Sequence, residues 1–147
     1  QARGSPRLVT GLPETVGAHV RRTAEVQPFL RHLGVQVVAV EAGAVDTVIQ
    51  NSDALGREGG AFHGGTIATL VDTTSGLAAL TTADERAEAL TVEFKINFLA
   101  RAEGAQLCCR SQVVRASRTL AVMKADVFSG AAHVATAIVT FLMWKTD

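Results

Sequence analysis

Gly64-Gly65-Thr66-Ile67-Ala68-Thr69-Leu70-Val71-Asp72-Thr73-Thr74-Ser75-Gly76-Leu77-Ala78-Ala79-Leu80-Thr81 is the stretch that decides the architecture. Ile67, Leu70, Val71, Thr74, Leu77 and Ala78 recur at three- and four-residue steps, the period of an α-helix. The other faces carry Ala, Thr, Ser and Gly, so the helix is apolar or small nearly all round. Such a helix belongs in the middle of a protein. Asp72 is the only full charge between His63 and Ala83. A carboxylate there is costly unless it is paired or used. A structural, hydrogen-bonded Asp and a catalytic base or nucleophile both fit that observation.

Downstream, the period changes from helical to alternating. Thr91 to Phe98 places Val92, Phe94, Ile96 and Phe98 on one face and Thr91, Glu93, Lys95 and Asn97 on the other. Gln106 to Val114, Leu120 to Phe128 and His133 to Trp144 follow as strands, with turns at Arg101–Gly104, Ala116–Arg118 and Ser129–Ala131. Short turns between long strands predict an antiparallel meander. Upstream, Val35–Val40 and Val45–Gln50 form a hairpin through Glu41-Ala42-Gly43. Asn51 to Phe62 has no apolar period, and a loop of that length in a compact domain tends to be functional. A helix over Glu14–Arg22, with Pro13 suited to its start, is interrupted at Gln27-Pro28. A short helix over Phe29–Leu33 then stops at Gly34.

The central helix is the one element able to cover the apolar face of the sheet. The expected fold class is therefore α+β: a long central helix wrapped by a curved antiparallel sheet of about six strands, the hotdog arrangement. Residues 1–147 read as a single domain, with 1–12 flexible and 13–34 an N-terminal helical segment. There is no internal repeat, linker or low-complexity tract.

Composition narrows the function classes. Of 147 residues, 48% are hydrophobic and 19% charged, which excludes a disordered chain. Lys plus Arg equals Asp plus Glu at 14 each, which argues against nucleic-acid or membrane-surface binding through net charge. No apolar run is long enough for a transmembrane helix. Gln1 to Leu8 is polar, without an apolar signal core or an initiator Met, and reads as a trimmed or engineered end. Cys108 and Cys109 are adjacent, so an ordinary disulfide is not expected and a cytoplasmic location is the simplest. The two should point to opposite faces of their strand, one of them into the core.

His63-Gly64-Gly65 sits where the long loop becomes the helix. The first N–H groups of a helix lack intrahelical partners and lie at the positive end of its dipole. An N–H of Gly64 or Gly65 could hold a carbonyl oxygen as negative charge develops on it; a plain flexible loop end also fits a bare Gly-Gly. Gly60 to Thr66 lacks the Lys of a phosphate loop, because Thr66 follows Gly65 directly. No Gly-x-Ser-x-Gly elbow is present, and His19, His32, His63 and His133 show no metal-ligand spacing, so no metal is expected. Along one helix, Asp72 and the glycines are roughly 11–12 Å apart at about 1.5 Å per residue. Groups that cooperate on one carbonyl must each come within about 3 Å of it. Two antiparallel helices about a two-fold axis can arrange that, so a shared site implies a homodimer.

Phe62-His63-Gly64-Gly65-Thr66-Ile67-Ala68-Thr69-Leu70-Val71-Asp72, with nine residues from His63 to Asp72, resembles the His-Gly-Gly signature of hotdog acyl-CoA thioesterases of the phenylacetyl-CoA and hydroxybenzoyl-CoA kind. Thr91 to Leu99, the Ser117-Arg118-Thr119 turn and the final strands resemble the same family, over roughly Phe29 to Trp144. The resemblance implies that Asp72 attacks the thioester or activates water. It implies that Gly64 donates its N–H to the thioester oxygen and that His63 shapes the leaving-group side. Thr91 matches a Ser or Thr placed near the attacking water, and Arg118 matches a turn Arg that touches the nucleotide phosphates of CoA, with Ser117 in place of the common Gly. Phe62, Gly65, Ser75 and Asn97 complete the expected substrate contacts. One departure stands out: Arg57 occupies the place of the family's usual Asn or Gln, where it could pair with the partner's Asp72 or recognise an acidic acyl group.

The expected function is hydrolysis of an acyl-CoA to the free acid and CoA. No metal or redox cofactor is expected, since CoA is part of the substrate. The expected assembly is a homodimer, extended to a tetramer as a dimer of dimers. The alternatives are a non-catalytic acyl-CoA binding module and, ranked last, a hydratase or dehydratase, because no second His accompanies Asp72.

Overall fold

The computed structural model describes residues 11–147. Of the start expected to be flexible, only Gly11 and Leu12 fall among these. Helix α1, Glu14–Val26, buries Val16, Val20 and Ala24, one stripe at four-residue steps. That stripe carries the helix past Arg22, where the sequence reading ended it. It stops because a residue before proline is pushed out of the helical region, and Gln27 is extended with φ −72° and ψ 115°. Helix α2, Pro28–Leu33, starts on that proline and ends at Gly34, whose N–H returns to the carbonyls of Arg31 and Leu30.

The six strands are β1 (Gln36–Glu41), β2 (Ala44–Gln50), β3 (Ala87–Phe98), β4 (Gln106–Ala116), β5 (Leu120–Ser129) and β6 (Ala132–Lys145). All pairings are antiparallel and the spatial order is β1-β2-β4-β5-β6-β3. The hairpin between β1 and β2 turns at Gly43, which has φ 80°. A Cβ there would also lie 2.7 Å from Val113 Cγ1, so the position admits only glycine without movement. The long segment from Asn51 to Phe62 is more ordered than a bare loop. It contains a 3-10 turn at Asp53–Leu55 and a bridge between Gly56 and Phe62, closed by Arg57 N–H donating to Ala61 O at 2.8 Å.

Helix α3, Gly64–Leu80, lies against the inner face of the sheet and buries Ile67, Leu70, Val71, Thr74, Ser75, Leu77, Ala78, Ala79 and Leu80. This is the expected helix wrapped by an antiparallel sheet. It is not the sole cover, however, because Val20, Ala24 and Leu30 of α1 and α2 join the same core.

The clean alternation expected for Thr91 to Phe98 does not survive. A β-bulge interrupts the pairing with β6 between Thr91 and Glu93: Thr91 sits opposite Phe141 and Glu93 opposite Thr140, leaving Val92 as the extra residue. Phe141 and Val139 are buried on the inner face. Thr91 therefore faces inward together with Phe94, Ile96 and Phe98, whereas Glu93, Lys95 and Asn97 face outward. One inserted residue reverses the sidedness of everything beyond it, since the strand period is two. Edge strand β3 also leaves apolar side chains uncovered: Val92 is 59% and Phe98 54% exposed. Among the described residues, no helix is long and apolar enough to cross a membrane.

Candidate active site

Asp72 lies on the half-buried side of α3 with Ala68, Thr69, Thr73 and Gly76, where it meets the edge strand β3. Thr91 Oγ1 donates to Asp72 Oδ1 at 2.6 Å, across nineteen residues of chain. The bulge makes this contact possible, because a regular strand keeping the outer places of Glu93 and Asn97 would aim Thr91 outward too. A carboxylate held by a hydroxyl at that distance is oriented and keeps its second oxygen available. The pair lines a cavity of ≈ 270 Å³ whose walls include Leu30, Leu77, Leu80 and Phe141.

At the other end of the exposed stripe, His63 is the N-cap of α3, and its Nδ1 accepts from Gly65 N–H at 2.9 Å. The hydrogen bond engages one of the two candidate donors. No acceptor among the described residues takes the Gly64 N–H. The structure thus separates two glycines that sequence treats alike: Gly64 offers a free donor at the positive end of the helix, and Gly65 serves the cap. Gly64 lines a second cavity of ≈ 360 Å³ with Arg57, Phe62, Phe98 and Arg101. Phe62 is itself buried, and Arg57 is exposed at the mouth.

Asp72 and Gly64 thus open on two different cavities of one chain, eight residues or about 12 Å apart along α3. Between them runs a face made of small residues, and beside it the edge of β3 that has no strand partner among the described residues, with Phe94 and Phe98.

Other expected contacts fall elsewhere. Ser75 is fully buried, and its hydroxyl accepts from Ser111 on β4 at 3.0 Å, so it faces the sheet rather than a ligand. Three residues beyond Asp72 is about 60° short of a full turn of the helix, enough to cross from open face to core. Asn97 faces outward, opposite in sense to Thr91, for the reason the bulge supplies, and Lys95 donates to it. Ser117 closes the β4–β5 turn, its N–H donating to Leu120 O at 2.7 Å while its Oγ accepts from Leu120 N–H at 3.1 Å. Arg118 is exposed on that turn. The register Leu120–Leu142–Leu90 places the turn two strand spacings, about 10 Å, from the Thr91 end of β3.

Sequence reasoning missed Thr23, Gln27 and Phe29, which wall the Asp72 cavity from the elbow between α1 and α2. The Gln27-Pro28 break marks that elbow, but nothing local says what it covers. Both cysteine thiols are held above their ordinary range. Burial pushes Cys109 up to about 12 against a hydrogen bond with Thr74, and burial with the nearby Asp46 also raises Cys108. Among the described residues, no three His, Cys, Asp or Glu side chains converge as metal ligands.

The thioesterase superfamily profile matches residues 59–136, just over half of the 147. A protein of Saccharolobus solfataricus named as a candidate esterase is 34% identical over 98 residues, covering 67% of this chain and 69% of its own. A crystal structure of a thioesterase family protein from Silicibacter pomeroyi superposes with a TM-score of 0.84 at 32% identity, covering 89% of this chain and 99% of that one. The PaaI protein of the E. coli phenylacetic acid degradation operon shares the fold, with a TM-score of 0.80 at 16% identity over 92% of this chain and 96% of that one.

Proposed function

The chain belongs to the thioesterase superfamily, and from that premise we propose that it hydrolyses acyl-CoA thioesters at a site built by two copies. The observation that carries this reading is the division of the chemistry. The middle of α3 holds a carboxylate oriented by Thr91, and its start holds a helix N-terminal N–H without an acceptor among the described residues, too far away to share a carbonyl. Antiparallel pairing of two α3 helices about a two-fold axis brings each Gly64 to the partner copy's Asp72. The small residues between them permit close approach, and the open edge of β3 with its exposed Val92 and Phe98 is covered in the same step.

In that arrangement the Gly64 N–H polarises the thioester carbonyl and stabilises its developing oxyanion. Asp72 takes a proton from the attacking water, or attacks the carbonyl carbon itself to form a mixed anhydride that water hydrolyses once CoA has left, which frees the acid and restores the carboxylate. Collapse of the tetrahedral intermediate breaks the C–S bond, and the CoA thiolate leaves and takes up a proton derived from water. The acyl group occupies the cavity beside Asp72, where Phe29, Leu30, Leu77, Leu80 and Phe141 suit a medium-length or aromatic chain of the phenylacetyl-CoA or hydroxybenzoyl-CoA kind and Thr23, Thr69, Thr73 and Glu88 make the rest of the wall polar. Arg57, at the mouth of the Gly64 cavity, contacts the partner's Asp72 or an acidic acyl group, and Arg118 meets the CoA phosphates. No metal or further cofactor takes part. A row of exposed outer-face leucines, Leu120, Leu142 and Leu90, supports pairing of two dimers into a tetramer. Its substrate places the enzyme in the cytoplasm.

The test is thiol release followed with dithionitrobenzoate across short, long and aromatic acyl-CoAs, beside the Asp72→Asn variant. Turnover lost in that variant, with the fold intact by circular dichroism, supports the enzyme. Tight binding without turnover on any substrate replaces it with the binding module.

A further inference from the structure

We propose that the hydroxyls of Thr74 and Ser75 set the rotation of α3 about its own axis, and through it the aim of Asp72. Burial of apolar surface specifies that rotation loosely, because α3 presents Ala, Gly, Thr or Leu in nearly every direction. Turning it by part of a step exchanges one small or apolar residue for another. Two hydroxyl pairs remove the ambiguity. Thr74 Oγ1 lies 2.6 Å from Thr47 Oγ1 on β2, and Ser111 Oγ on β4 donates to Ser75 Oγ at 3.0 Å. All four side chains are 0% exposed.

The anchors are well separated. Thr47 pairs with Cys109, two residues from Ser111 on the same inner face, so the helix is held at points on neighbouring strands. At about 100° per residue, Thr74 and Ser75 stand roughly 160° and 60° from Asp72 on the same side of the helix, and both are buried. A rotation that realigns Asp72 pulls both pairs apart; Ser111 Oγ keeps Lys124 O at 3.3 Å and Thr74 has Cys109 beside it, but the Thr47 and Ser75 hydroxyls are left buried without those partners, which a low-dielectric interior penalises. Among the described residues no buried side-chain polar atom is in that condition. The lever is long: a carboxylate about 5–6 Å from the helix axis moves roughly 1 Å for each 10° of rotation. That displacement breaks the 2.6 Å contact with Thr91. Misplacement of a reacting group by about 1 Å lowers turnover on the order of a hundredfold. Thr74 and Ser75 are positioning residues in this account, and they touch no substrate. The kinetic consequence rests on the proposed thioesterase chemistry, whereas the geometric consequence stands apart from it.

The test replaces both partners of each pair at once, Thr47→Val with Thr74→Val and Ser75→Ala with Ser111→Ala. Removing both polar groups of a buried pair is nearly neutral for stability. Two readouts are taken on the full chain: kcat and KM on the best acyl-CoA, and the carbon-13 resonance of the Asp72 carboxyl, identified by its loss in Asp72→Asn. The expected result is a folded variant with kcat down at least about tenfold, KM within about twofold, and a resonance displaced toward its position in Thr91→Val. A folded variant with native kcat and a native resonance overturns the proposal. If the chain hydrolyses no acyl-CoA, the proposed function fails, and the resonance alone still decides the rotation. If the fourfold variant does not fold, Thr74→Val is compared with Thr74→Ser. A resonance displaced only in Thr74→Val supports the anchor, and one native in both overturns it.

Discussion

Replacing Thr91 with Val tests the chemistry at its narrowest point. The two side chains are close in shape and both suit a strand, so the substitution removes a hydroxyl and little else. The lost contact is the 2.6 Å hydrogen bond to Asp72 Oδ1. Hydrogen bonds to charged groups contribute about 1.5–3 kcal/mol, and about 1.4 kcal/mol is tenfold in rate, so loss of the whole contribution from the transition state lowers kcat roughly ten- to a hundredfold. Both residues are half-buried, so water takes up part of the vacated bond and the lower end of that range is expected. The assay is steady-state thiol release with the best acyl-CoA, run for Thr91→Val and Thr91→Ser beside thermal melts of each. Thr91→Val should lower kcat with KM within about twofold and little change in Tm, and Thr91→Ser should recover most of the loss. Native kcat in Thr91→Val would refute the orienting role. Equal loss in Thr91→Ser would assign the effect to the γ-methyl and its packing instead.

The composite site is checked by complementation. Gly64→Pro deletes the proposed donor at a first helical position where proline is well tolerated, after a His63 already extended at ψ 142°. Gly64→Pro and Asp72→Asn should each be inactive alone, and a one-to-one mixture reassembled from unfolded chains should regain roughly a quarter of native sites; no recovery counts against a shared site. Gly43→Ala strains a residue at φ 80° and drives a Cβ to 2.7 Å from Val113 Cγ1, so it should destabilise by about 1–3 kcal/mol, read as a Tm several degrees lower. At Asp126, burial works to raise the carboxyl, but hydrogen bonds from Thr136, Lys124 and His133 outweigh it and hold the group below its ordinary value of 3.8. Its contribution is complete above that unfolded value and disappears as pH falls through the lower folded one. Asp126→Asn should therefore shrink the stability gap from native at acid pH, and a gap independent of pH would contradict the assignment.

How far the sequence reaches can be judged residue by residue. Period alone distinguishes α3 from the strands that follow, because side-chain spacing of 3.6 or 2 is a property of a short segment and its solvent. Asp72 is legible as the lone charge of an apolar helix, and His63-Gly64-Gly65 as a helix start with spare donors. Even the separation of Asp72 from Gly64 follows from helical rise. What tertiary structure decided has a different origin. Thr91 faces Asp72 because β3 bulges at Val92 against β6, a partner whose register no local pattern of β3 encodes. Gly64 rather than Gly65 keeps a free N–H because the His63 ring turns back onto Gly65. Ser75 serves the sheet and not the cavity because Ser111, thirty-six residues away, meets it there. The elbow of α1 and α2 walls the Asp72 cavity because its apolar stripe finds cover in the same core. Local chemistry selects the elements and marks the reactive groups, while the direction in which each group points is set by contacts between segments far apart in the chain.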